Sequence, residues 1–191
     1  WGEIKSESGG PAVVLVTGAS GGVGVASVQL AHAMGHTVIA LSRSEEKAKH
    51  LRDIGAAITL NPEEKSWPRV LKEKLGTRRV NLVVENIGGP GFSQVIETLA
   101  MWGRVSVVGR LAGPVPDFNT ATLFFRRLRI GGVAIATYNN QETRDAWENI
   151  LRVLDQSHAK PLVDHIYPFD EVPAAFKRLE QGPMGKVVIK I

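Results

Sequence analysis

Ala12-Val-Val-Leu-Val-Thr17, followed at once by Gly18-Ala-Ser-Gly-Gly-Val-Gly24, is the stretch on which the fold turns. An apolar run without alternation is the pattern of a strand covered on both faces, as in a parallel sheet. After the glycines, Val25–Met34 carries Val, Leu and Ala at helical spacing, and Gly35 reads as the C-terminal cap of that helix. A glycine turn between a buried strand and a helix is the setting of a dinucleotide fingerprint. Without Cβ atoms, Gly21 and Gly22 let the backbone approach a pyrophosphate, with Ser20 and Val23 on either side. The unpaired N–H groups and positive dipole end of the helix face that anion. Gly24 lets the helix lie close against the strand.

The same grammar continues outward. Thr37–Leu41 is a second apolar run, and Ser44 caps a helix with Glu45, Glu46 and Lys47 in its first turn, closing at Gly55. Ala57–Leu60 reads as a third strand, and Asn61-Pro62-Glu63-Glu64 as a helix start with proline at the first helical position. Val80–Glu85 is a fourth strand, Gly88–Gly91 a loop, Phe92–Ala100 a helix and Arg104–Val108 a fifth strand. Gly113–Pro116 opens a longer loop, and Arg129–Thr137 reads as a sixth strand. Gln141–Gln156 is an amphipathic helix. His165–Phe169, a helix from Glu171 to Glu180 and a strand over Lys186–Ile191 complete the chain. Strands alternating with helices predict an α/β fold: a doubly wound, six-stranded parallel sheet of order 3-2-1-4-5-6.

Composition narrows the function classes. With 191 residues, 22% charged and 43% hydrophobic, the chain is long enough for a sizeable core and is not a disordered or collagen-like composition. The absence of cysteine removes disulfides, a thiolate nucleophile and Cys-ligated metal from this chain. His32, His36, His50, His158 and His165 are too dispersed for ligand spacing, so no metal site is expected here. The net charge of +4 is modest and scattered. The densest basic cluster, Arg126-Arg127 with Arg129, lacks interleaved aromatics, and neither nucleic acid nor membrane is expected as a partner. Trp67, Trp102 and Trp147 read as core or edge packing, and a cytoplasmic location is expected. The first residue is Trp1 rather than methionine.

The glycine turn fits two patterns. Thr17-Gly18-x-x-x-Gly22-x-Gly24 is similar to the motif of short-chain dehydrogenases, whose chemistry needs a tyrosine with lysine four residues later. Tyr138 and Tyr167 are followed at that spacing by Glu142 and Glu171, so that pattern fails. Ala19-x-Gly21-Gly22-x-Gly24 resembles the medium-chain dehydrogenase/reductase superfamily in its quinone-reductase-like form. The resemblance extends through Gly21–Ala31, Ser44–Ala48 with Asp53–Ala56, Glu85–Gly88, Gly103–Gly109 and Gly185–Ile191, roughly the whole chain.

That resemblance implies a nicotinamide cofactor and hydride transfer to a carbonyl, quinone or enone. NAD-selective sites carry an acid at the end of the second strand. Here Ser42 and Arg43 stand there, with Lys47 one turn further, so NADPH is the expected cofactor. By resemblance, Asn86 and Ile87 border the ribose and ring, followed by Val108, Gly109 and Arg110, and the backbone of Val133, Ala134 and Ile135 holds the carboxamide. The resemblance also implies a homodimer through an edge strand at Gly131–Thr137, and an amino-terminal catalytic domain outside this chain. Residues 1–164 are then the NAD(P)-binding domain, and 165–191 a segment returning toward that catalytic domain. On this reading the chain turns over nothing alone. Zinc in a longer protein, an alcohol dehydrogenase, an enoyl reductase and a non-catalytic NADPH-binding sensor or structural module all remain open.

Overall fold

A computed structural model describes residues 9–114 and 119–191, which form eight strands and seven α-helices. In chain order they are β1 (Val13–Val16), α1 (Gly22–Ala33), β2 (Thr37–Leu41), α2 (Glu45–Asp53) and β3 (Ala56–Leu60). Then come α3 (Trp67–Leu75), β4 (Val80–Glu85), α4 (Phe92–Glu97), β5 (Leu99–Val107), α5 (Ala121–Arg126) and β6 (Arg129–Gly132). The last are α6 (Asn140–Ser157), β7 (Val163–Pro168), α7 (Val172–Glu180) and β8 (Lys186–Lys190). The first six strands form one parallel sheet of order β3-β2-β1-β4-β5-β6, the topology read from the apolar runs.

Every residue of β1 is buried, because successive side chains feed two separate cores. Val13 and Leu15 pack on one face with Trp67, Leu71, Phe92, Val95 and Ile96 from α3 and α4. Val14 and Val16 pack on the other with Val25, Val28 and Leu51 from α1 and α2. The order of strands reverses between β1 and β4, so their carboxyl ends diverge into a crevice, the usual ligand position in open α/β sheets.

Several boundaries differ from the expectation. The helix expected at Asn61–Glu64 begins instead at Trp67. The Asn61 side chain accepts a hydrogen bond from the Glu63 amide at 3.0 Å, closing a local turn, and the proline in the first helical turn is Pro68. The helix expected over Phe92–Ala100 ends at Glu97, and β5 starts at Leu99, bending where Trp102 takes φ 61°. The sixth strand stops at Gly132, with a 3₁₀ turn at Ile135–Thr137 in place of the expected extension. Only Gly131 and Gly132 of the expected dimer edge Gly131–Thr137 therefore lie in a strand. Trp67 is 2% exposed, but Trp102 and Trp147 are 50% and 57% exposed and are not core residues. α5 had no sequence expectation, and the loop opened at Gly113–Pro116 runs into 115–118, outside the described residues, as does Trp1.

β7 and β8 form their own two-stranded parallel sheet with α7 as the crossover. The boundary expected after residue 164 falls inside β7. An isolated parallel bridge, Gly21 to Gly185, ties this unit to the glycine turn.

Candidate active site groove

A groove of about 720 Å³ opens at the carboxyl ends of β1 and β2. Of the expected residues, Ser20, Gly21, Gly22, Ser42, Arg43, Lys47 and Ile87 line it. Gly21 precedes α1 in extended conformation, and no side chain caps the helix, so its first amides are left to a ligand in the groove. Gly24 faces away from the groove and into the fold. A Cβ there would lie 2.3 Å from the Gly18 carbonyl oxygen and 2.6 Å from the Ala19 Cα, so α1 can seat on the turn only as glycine.

Past the end of β2, Arg43 and Lys47 both line the groove. Ser42 is buried, its hydroxyl donating to the Ser44 carbonyl at 3.1 Å and accepting from the Ser44 amide at 3.3 Å. That hydroxyl shapes the turn, leaving Arg43 as the exposed donor. Arg43 lies 3.7 Å from the Glu63 carboxylate, an exposed pair that stabilises little and can re-pair with a stronger anion. Glu45 is turned along its own helix to Arg52 at 2.7 Å. Lys47 Nζ donates to the Gly182 carbonyl across the groove.

Asn86 and Ile87 belong to a lock between β4 and β1. Glu85, 1% exposed, accepts at Oε1 from the Thr17 hydroxyl (3.0 Å) and the amides of Ile87 and Gly88 (both 2.7 Å). The Asn86 amide donates to the Thr17 hydroxyl at 2.8 Å, and its side chain to the Thr17 carbonyl at 2.7 Å. Asn86 is thus buried in structure, while Ile87 lines the groove facing Leu41 and Pro62. All three line the same groove as Arg43. Val108 and Gly109 both donate amides to the Glu85 carbonyl, and Val133 donates to the Val107 carbonyl. These residues, with exposed Arg110, Ala134 and Ile135, and with exposed Val23, lie outside the groove's lining; Leu111 and Ala112 line it instead.

Sequence reading missed one whole wall. Leu179, Gly182, Pro183 and Gly185 close the groove opposite Arg43, and Gly185 donates its amide to the Ser20 carbonyl at 3.0 Å. Lys186 follows, laid over Gly22: a Cβ on Gly22 would meet its Cδ and Cε at 2.8 Å and its Nζ at 3.0 Å. An ammonium at the positive end of a helix is electrostatically disfavoured until an anion lies between them. The Gly182-Pro183-Met184-Gly185 turn signalled a loop, but nothing local tied it to residues 20–22. Among the described residues, no group of three or more His, Asp or Glu could hold a metal ion. No helix among them is long and apolar enough to cross a membrane.

The fold and the groove together define a dinucleotide-binding domain of the Rossmann type. The chain belongs to the zinc-binding dehydrogenase family, whose profile matches residues 22–154, within the medium-chain oxidoreductases. It is 29% identical over 180 residues to an acryloyl-coenzyme A reductase of Sulfurisphaera tokodaii, covering 93% of this chain and 50% of that protein. It is 26% identical over 179 residues to a quinone oxidoreductase of Sus scrofa, covering 93% and 54%. The fold matches a mycobacterial protein, Rv1454c, solved in complex with NADPH (TM-score 0.83, 26% identity, 95% of this chain and 57% of that one). It matches an NAD-dependent alcohol dehydrogenase equally well (TM-score 0.83, 30% identity, 95% and 52%). The chain thus spans about half the length of the relatives it matches.

Proposed function

We propose that this chain binds NADPH for an oxidoreductase that transfers hydride between the cofactor and a carbonyl, quinone or enone. The observation that carries the reading is the groove itself. Open amides at the start of α1 face it, Arg43 and Lys47 stand at the end of β2, and that strand end carries no carboxylate of its own. When bound, the cofactor supplies the hydride, and the protein supplies position and field.

In this reading the amides of Gly22 and Val23 and the Lys186 ammonium hold the pyrophosphate, and Leu41, Pro62 and Ile87 sandwich the adenine. Arg43 leaves Glu63 to pair with the 2′-phosphate through two N–H groups, which a ribose hydroxyl could not induce. Asn86, Val108, Gly109, Arg110 and the backbone of Val133–Ile135 stand toward the nicotinamide end. The reading is supported by relatives named as quinone oxidoreductase and acryloyl-coenzyme A reductase, and by the NADPH complex of Rv1454c. The substrate pocket is assigned to polypeptide outside these residues, toward which β7, α7 and β8 turn. Activity therefore requires that part, and this chain alone is inactive.

A homodimer through the β6 edge belongs to the same reading. Ile130 on β6 is 38% exposed, and Ile135, in the 3₁₀ turn that follows, is 76% exposed. Sedimentation of the protein as a monomer at tens of micromolar would remove the dimer.

The deciding experiment is a fluorescence titration with NADPH and NADH. NADPH is expected to bind at least about tenfold more tightly, a preference lost in Arg43→Ala, since a bidentate charged pair contributes roughly 1.5–3 kcal/mol. Equal binding of the two cofactors overturns the NADPH assignment.

A further inference from the structure

The wall formed by residues 182–185 is held from behind by a pair that never touches the groove. Asp164 on β7 accepts two parallel hydrogen bonds from Arg178 on α7: Nε to Oδ2 at 2.7 Å and Nη2 to Oδ1 at 2.8 Å. The same Oδ1 accepts the Met184 amide at 3.1 Å. The Asp164 side chain is only 9% exposed, so its charge depends on these three donors.

From Met184 the restraint passes along the chain. Met184 is itself buried, in the core cluster that also holds Val14, Val16 and Ala19. Gly185 donates to Ser20, and the Lys186 amide donates to the Leu162 carbonyl at 3.0 Å. Gly185 sits at φ 83°, where a Cβ would lie 2.4 Å from the Leu162 oxygen, so the strap has one seat and little room to adjust. Lys186 is the next residue, and its ammonium is the part of the strap that reaches the start of α1.

We propose that Arg178 and Asp164 are positioning residues for cofactor binding: their ion pair fixes the strap at Met184 and thereby aims Lys186 at the cofactor's pyrophosphate. The proposal rests on reading the groove as a nicotinamide cofactor site. Without Arg178, the carboxylate keeps one buried amide donor and the strap loses its anchor. Lys186 then loses its aim, although neither Arg178 nor Asp164 meets the ligand. Side chains coupled through one segment give non-additive effects, which separates this role from a general loss of stability.

The test is a double-mutant cycle in the full-length protein, with NADPH Kd read by fluorescence titration and Tm read on the same samples. Arg178→Met and Lys186→Met are each expected to raise Kd by about tenfold, and the double variant also by only about tenfold, because both remove the same contact. Arg178→Lys, which keeps the charge but not the paired geometry, is expected to fall between wild type and Arg178→Met. Should Arg178→Met fail to fold, Asp164→Asn replaces it in the cycle with the same expectation. A double variant weakened by about a hundredfold, the product of independent effects, overturns the proposal. So does an Arg178 variant whose Tm falls while its Kd stays that of wild type. A wild-type protein that binds neither NADPH nor NADH overturns the groove reading first, and this inference with it.

Discussion

Residues 12–107 and residues 119–191 are built to different standards of burial. Among the described residues, every buried hydrophobic side chain lies between Ala12 and Val105 except Ala175 and Met184. Beyond residue 119 the large apolar side chains stand in solvent: Phe124 at 66%, Phe125 at 70%, Ile135 at 76%, Trp147 at 57%, Phe169 at 67% and Phe176 at 65%. Phe124 and Phe125 adjoin, their ring centroids 4.2 Å apart, and contiguous apolar patches can serve as interaction sites. The difference teaches that the first region holds almost all of the buried core, whereas the second, which lends Leu179, Gly182, Pro183 and Gly185 to the groove, leaves much of its apolar surface exposed.

Substituting one residue type in both regions tests that contrast most sharply. Trp67→Ala is expected to destabilise the fold by about 3–5 kcal/mol, since it opens a cavity in a closed core and strips Gln94 of its 2.9 Å partner. Urea unfolding reads the loss. Gly24→Ala comes next, at roughly 1–3 kcal/mol, because its Cβ meets backbone rather than a movable side chain. That variant should also lose cofactor binding, measured by titration at a temperature where it remains folded.

Acid gives a smaller, graded test of the second region. Arg178 beside Asp164, with the Met184 amide, holds the Asp164 carboxyl below its ordinary value. The pair therefore stabilises the fold above the usual aspartate range and loses that contribution as pH falls through the depressed value. Tm plotted from pH 6 to about 3 should fall less steeply for Asp164→Asn than for wild type. Equal slopes would show that the pair contributes nothing to folding. Smallest is Trp147→Ala, expected within about 0.5 kcal/mol in this chain alone. The same substitution should cost clearly more in the full-length protein; an equal effect in both would break the contrast between the regions.

How much was legible in the sequence follows the same divide. β1, β2 and β4 read directly as apolar runs because parallel strands covered on both faces need no polar alternation. Gly21, Gly22, Arg43 and Lys47 were legible because the turn, strand end and helix start that hold them are contiguous in the chain. Asn61-Pro62 misled because an asparagine before proline caps a helix or closes a turn with equal ease, and here it closes a turn. Leu99 and Ala100 continued a helical pattern, yet pairing with β4 drew them into a strand. The wall at 182–185 stayed hidden because its partners are Ser20 and Gly21. Contact across that span of chain has no local signature, and the proline and glycines of the wall say only that the chain bends.

The short sheet of β7 and β8 carries a further consequence, for handling the protein. Among the described residues β7 and β8 pair only with each other, which leaves each an outer row of N–H and C=O groups without a strand partner there. Ile166 and Val188, paired in register and 56% and 36% exposed, add apolar surface on one face of that sheet. Prepared by itself, the chain should owe any association beyond the proposed β6 dimer to this small appendage. A charged residue at position 166 or 188 would then be the economical route to a preparation that stays in solution.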